Sequence, residues 1–150
     1  MFEKFFTLEE AEELLPQIEK IMEHVLQMRK NALEAGEALA RAAKQLARGD
    51  ESLNPSEVVN RRTEVEFLVR IIDEGLEAIA ALGAQVKDLD MGLVDFPAMI
   101  EGETVLLCWK YGEKGIQFYH NLEDGFAGRK PLVRGKPEIE EEPEKPKYQN

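Results

Sequence analysis

One cysteine, Cys108, stands in 150 residues, so no internal disulfide can form and the core alone must hold the fold. Long apolar runs are missing as well. None approaches the roughly 18 residues that a membrane span needs, and the opening MFEKFFTLEEAEELL lacks the basic flank, apolar run and small-residue cleavage site of a signal peptide. Together these absences predict a cytoplasmic protein. Basic clusters are scarce too, the longest being Arg29-Lys30, Arg61-Arg62 and Arg129-Lys130 within a net charge of -11. A phosphate backbone needs a Lys/Arg face to release its counterions, so neither nucleic acid nor a membrane is an expected partner. An acidic surface suits solubility, cations or a basic protein partner.

What is present divides into three parts. Thr7 followed by Leu8, Glu9 and Glu10 has the form of a capping box, which starts a helix. From Ala11 an apolar position recurs every seven residues (Ile18, Val25, Ala32, Leu39, Leu46) beside Leu14, Ile21, Met28, Ala35 and Ala42, the seam of a long coiled-coil-like helix over 7–48. Pro16 lies inside it and deletes a hydrogen bond, so a kink or a short separate first helix is expected, and the surviving register favours the kink. Gly49 and Asp50 end this helix. Asn54, Pro55, Ser56 and Glu57 restart the chain with a cap, a first-turn proline and a first-turn acid. The second helix should run over 55–82 on Val58, Val65, Leu68, Ile72, Leu76 and Ile79, with Gly83 as its stop. A short connection makes the two antiparallel neighbours. Leu15, Met22, Leu26 and Leu33 widen the first helix's apolar stripe beyond what one neighbour covers, which predicts a homodimer.

From Val86 the period becomes strand-like. Phe96 to Ile100, Val105 to Trp109 and Ile116 to His120 form a predicted antiparallel meander, separated by Glu101-Gly102 and by the turn at 112–115, with Val86 to Leu89 as a candidate fourth strand. The segment 86–132 thus completes one domain over 1–132. After it, VRGKPEIEEEPEKPKYQN has too few apolar residues to offset its ordering entropy, and 133–150 is expected to be a disordered acidic, proline-rich tail.

Chemistry-bearing residues crowd between Lys87 and Leu132. Asp88, Asp90 and Asp95 precede the strands, and His120 and Glu123 follow them. If the meander folds back, these five form the ligand set of a divalent metal ion, although capping aspartates and an edge histidine explain the same letters. Gly125 and Gly128 beside Arg129 suggest an anion nest, or else a stiffened turn in which Arg129 pairs with Asp95 or Glu123. Trp109 belongs to the sheet core or to a pocket wall. Cys108, flanked by Leu107 and Trp109, reads as a buried inert thiol. His24 is expected in solvent. Arg61 and Arg62 interrupt the second helix's stripe and should pair with Glu64, Glu66 or a partner chain.

The phrases TLEEAEELLP, KDLDMGLVDFPA, VLLCWKYGE and FYHNLEDGFAGRKPL resemble the prokaryotic family called domain of unknown function 2203. The resemblance spans all but the loop near Gly49 and the tail. It implies a helical hairpin followed by a β segment, and it marks Asp88, Gly92, Asp95, Phe96, Pro97, Trp109, His120, Gly125, Phe126, Gly128 and Arg129 as matching positions. No activity comes with it.

The expected fold is therefore α+β, a long antiparallel helical hairpin followed by a small antiparallel meander. The expected function is a non-catalytic binding or protein-interaction module whose ligand site draws on Asp88, Asp95, Trp109, His120, Gly125, Gly128 and Arg129. The alternative is a metal-dependent or small-ligand enzyme using Asp88, Asp90, Asp95, His120 and Glu123, with no catalytic residue assigned.

Overall fold

Thr7 caps the first helix from both directions. Its hydroxyl accepts the Glu10 amide at 3.1 Å, and Glu10 accepts the Thr7 amide at 2.9 Å. Helix α1 follows over Leu8–Ala47 with Pro16 inside it, one continuous helix rather than two. The computed structural model describes residues 2–132 together with the backbone of 139 and 140. Gly49, at φ 79°, turns the chain out of α1, and the Asn54 side chain accepts the Ser56 amide at 3.0 Å to open helix α2, Pro55–Ala81. Among the described residues no helix is long and apolar enough to cross a membrane.

The chain forms two compact units, one comprising Ile21–Ala78 and the other the residues on either side of it. In the first, α1 and α2 form an antiparallel pair. Val25 and Ile21 meet Gly75, while Ala42 and Gln45 share a small cavity with Leu53 and Glu57. Met22, Val25, Ala35, Ala42 and Leu68 are its buried apolar residues. His24 is exposed, as expected. Arg61 and Arg62 are both exposed, Arg61 on the wall of that small cavity, and among the described residues the expected ion pair with Glu64 or Glu66 is not formed. Exposed partners gain little by pairing, because solvent already satisfies both charges.

The second unit is built on an antiparallel sheet. Strands β1 (Gln85–Asp88), β2 (Leu93–Ile100), β3 (Glu103–Lys110), β4 (Phe118–Asn121) and β5 (Lys130–Pro131) lie side by side in chain order. Glu101 and Gly102, both at positive φ, make the two-residue turn from β2 to β3, which is the backbone shape that matches strand twist. The fourth strand foreseen at Val86 to Leu89 is β1, and β5 had no strand signal. Of the expected tail, the structure describes only β6 (Ile139–Glu140), paired to β2 beside Met99 and Ile100, and the rest lies outside the described residues.

Alternation along β2 splits the sheet into two faces. Val94, Phe96 and Ala98, with Leu107 and Trp109 of β3, are buried together with Phe6, Ala11, Leu15 and Ile18. Phe6 stacks edge-on against Phe96 at 5.4 Å, and its amide donates to the Pro97 carbonyl at 2.7 Å. Glu12 accepts the Ile116 amide at 3.2 Å, which ties the first turns of α1 to the β3–β4 connection. Asp95 points to the other face.

Helix packing yields a paired expectation. A Cβ at Gly75 would overlap the Val25 side chain, whereas one at Gly36 meets nothing within 4 Å. Alanine is favoured over glycine by about 1 kcal/mol in an open helix interior, but overpacking a stiff, buried valine costs roughly 1–3 kcal/mol. Gly36→Ala should therefore raise the melting temperature and Gly75→Ala lower it. Thermal unfolding followed by circular dichroism reads both, and the reverse order would contradict the close helix approach.

Candidate functional site

LVDFPAMI, the sequence of β2, is buried along almost its whole length, and Asp95 is the one charge in it. Cross-strand register then decides what that carboxylate meets. Asp95 lies opposite Cys108 of β3, and Leu106, two residues before Cys108, lies opposite His120 of β4. Side chains two apart share a face, so Asp95, Cys108 and His120 converge on the side of the sheet away from Phe96. Asp95 and His120 are 1% and 3% exposed.

The His120 ring is fixed at both nitrogens. Nδ1 sits 2.8 Å from the Asn121 carbonyl oxygen, and Nε2 sits 3.1 Å from Asp95 Oδ2. A carbonyl can only accept, so Nδ1 carries a hydrogen, and the Nε2–Oδ2 contact needs a second proton on one partner or the other. Asp95 Oδ1 is buried without a hydrogen-bond partner. The Cys108 thiol lies beside the carboxylate and, as a hydrogen-bonding side chain, favours its ionised form. Burial pushes the Asp95 carboxyl above its ordinary range, against the opposing pull of His120, Cys108 and Lys87. Burial, then the Asp95 charge, pushes the Cys108 thiol up to about 11, with Arg129 opposing. At neutral pH it is a thiol, not a thiolate.

Asp95 and His120 form part of a cleft of about 320 Å³. Its other polar walls are Lys87, Asp88 and Glu123, and its apolar walls are Met91, Leu93, Leu122 and Phe126, with Gly125 at positive φ between them. Asp88 also accepts the Met91 amide at 3.0 Å, which shapes the turn leading to β2. Of the ligand residues expected from sequence, the fold brings Asp88, Asp95, His120 and Gly125 together. Trp109 is on the opposite face, buried, its indole N–H donating to the Glu113 carbonyl at 2.9 Å. Asp90 and Gly128 do not line the cleft, and Gly128 instead packs against Asp124. Among the described residues the converging metal-type donors are Asp95, Cys108 and His120, and Asp88, Asp90 and Glu123 do not join them.

Arg129 pairs with neither Asp95 nor Glu123. Its guanidinium lies between the Phe118 and Phe126 rings, 4.2 and 4.8 Å from their centroids. It binds Glu113 through two nitrogens at 2.7 and 3.2 Å and donates to the Cys108 carbonyl at 3.2 Å. Burial works against its charge, but the contacts with Glu113 and Cys108 outweigh that and hold its pKa above the ordinary value. Arg129 therefore has its positive charge already paired inside the protein and is not the free cation that an anion nest beside Gly125 and Gly128 would draw on. Sequence reasoning missed Glu113, which carries no local signal beyond its place in a turn. Cys108 is the buried, protonated thiol expected from sequence, and the charge inside β2 marked the face on which it falls.

The raised Asp95 pKa has a sign. Above the ordinary carboxyl value of 3.8, the unfolded chain has lost this proton while the folded chain still holds it, so this group's contribution to stability declines as pH rises through that window. Asp95→Asn keeps an N–H donor for Nε2 without the charge and should flatten the decline. Urea midpoints for both chains between about pH 4 and pH 7 measure it. A wild type that gains on the variant across that range would mean that the buried site prefers the carboxylate.

A family model described as an uncharacterized conserved protein (DUF2203) matches residues 4–132. No curated protein and no solved structure matches the chain.

Proposed function

We propose, for a chain that belongs to the DUF2203 family and takes no assigned activity from it, that the cleft over the sheet binds a small ligand bearing positive charge. The observation that carries this reading is the buried Asp95–His120 pair at an otherwise acid-lined and apolar cleft. Removing a carboxylate from water costs several kcal/mol unless it is fully paired, and Oδ1 is left without a partner. Such groups concentrate at functional sites. Asp88 and Glu123 against Lys87 leave the walls net acidic, which suits a cationic group, while Met91, Leu93, Leu122 and Phe126 suit an apolar body.

Binding fits this site better than catalysis by its own residues. Both His120 nitrogens are engaged, and the thiol is protonated, so no free base or nucleophile faces the cleft. An enzyme at the same cluster would have to break the Asp95–His120 contact first. A cytoplasmic setting accords with the reading.

Small amines are the probe. In two-dimensional NMR titrations with agmatine and spermidine, amide shifts should cluster at 87–93 and 120–126. Glu123→Lys, at an exposed position, should leave stability within about 0.5 kcal/mol while weakening binding at least about tenfold, the effect of roughly 1.4 kcal/mol. Shifts scattered over the surface, or binding indifferent to this substitution, would end the proposal.

A second copy of the chain is the partner we infer for the helical pair. Leu33, Val59 and Phe67 are 57%, 60% and 58% exposed there, and an isologous contact between hairpins would cover such residues. Light scattering should give twice the 17.0 kDa chain mass. A monomer mass at micromolar concentration would remove the inference.

A further inference from the structure

We propose that Asp95, Cys108 and His120 form a site for a zinc-like divalent ion, with a fourth position reached from the cleft. This rests on the reading of the cleft as a cation site and names the cation's class.

Four observations meet here. The donor atoms come from three consecutive strands and lie within 4.8 Å of one another, all buried. Zinc bonds of about 2.0–2.3 Å place tetrahedral ligand atoms roughly 3.3–3.8 Å apart, so the 3.1 Å Asp95–His120 contact is already near that spacing, and the thiol lies within 4.8 Å of both. The ring is oriented as a ligand would be: the hydrogen bond from Nδ1 to the Asn121 carbonyl fixes the tautomer and turns Nε2 toward Asp95, the support that metal-bound imidazoles receive. Asp95 Oδ1 is buried without a hydrogen-bond partner and is a lone-pair donor open to a metal ion.

Charge balance favours a metal over a second organic group. A divalent ion held by one carboxylate, one thiolate and one neutral imidazole is neutral overall, so burying it avoids the cost of an isolated ion. The ligand set of nitrogen, oxygen and sulfur suits zinc and cobalt rather than calcium or magnesium, which prefer all-oxygen shells. Binding releases the thiol proton and the proton held between Asp95 and His120. Both pass to solvent through the cleft, and no other bond changes.

Cobalt(II) makes the test visible, because a thiolate ligand gives it a near-ultraviolet charge-transfer band and tetrahedral geometry gives it intense visible bands. Full-length protein titrated with cobalt should show both at one equivalent, and zinc should abolish them. Cys108→Ser should lose the charge-transfer band, and Asp95→Asn should weaken binding at least tenfold. Zinc should raise the melting temperature of the wild type but not of Asp95→Asn, which decides the matter if Cys108→Ser does not fold. No charge-transfer band in the wild type, or a band that survives in Cys108→Ser, overturns the site. If cobalt fails while agmatine still shifts the cleft amides, the metal assignment falls and the cleft reading stands. If both fail, both fall.

Discussion

Asp95 Oδ2 and His120 Nε2 meet across an intervening strand, 3.1 Å apart and almost wholly removed from water, and the β segment is arranged around keeping that contact in place. A hydrogen bond to a charged group contributes about 1.5–3 kcal/mol, less than the several kcal/mol that burying an incompletely paired carboxylate costs. The difference must come from the surrounding apolar contacts. Strand β2 supplies them: every residue of Leu93–Ile100 except the half-buried Met99 is buried, and Phe96 and its neighbours on the opposite face pack with Phe6 and the first turns of α1. One face of the sheet stabilises, and the other holds a polar group at a net cost.

Arg129 governs the cleft's far wall from a distance. Its guanidinium is flat, and that shape lets it lie between Phe118 and Phe126 while it forks onto Glu113 and reaches the Cys108 carbonyl. Lysine has no equivalent geometry. The clamp fastens the loop after β4 to the β3–β4 turn and to the backbone of β3 at the residue whose side chain enters the buried cluster. Phe126, held in this way, is also a cleft wall. A residue whose charge looks available for an anion is therefore structural, and it positions the site without entering it.

Much of the architecture follows from local rules and was legible in the sequence. The capping box at Thr7 and Glu10, the Asn54-Pro55 restart and the glycines at 49 and 83 act within a few residues, and each appears in the structure where the sequence placed it. Periodicity separated the two helices from the strands for the same reason: burial repeats with the backbone's own period. Half of the site was legible as well. An aspartate in an apolar strand and a histidine at the end of a later one marked a region, although not the partners within it.

Those partners depended on register between strands far apart in the chain. Alternation assigns residues to one of two faces, but it does not say which face is covered, and it does not align β2 with β3 or β3 with β4. Once aligned, Asp95 met Cys108 and His120 rather than Asp88, Asp90 and Glu123, Trp109 turned to the covered face, and Glu113 took the charge of Arg129. By itself the sequence determined the elements, their order and the segment where polar chemistry gathers, because capping, turn geometry and periodicity are local. Only the tertiary structure decided which of those groups touch, because that choice is made by cross-strand pairing and by the competition of buried charges for the few partners within reach.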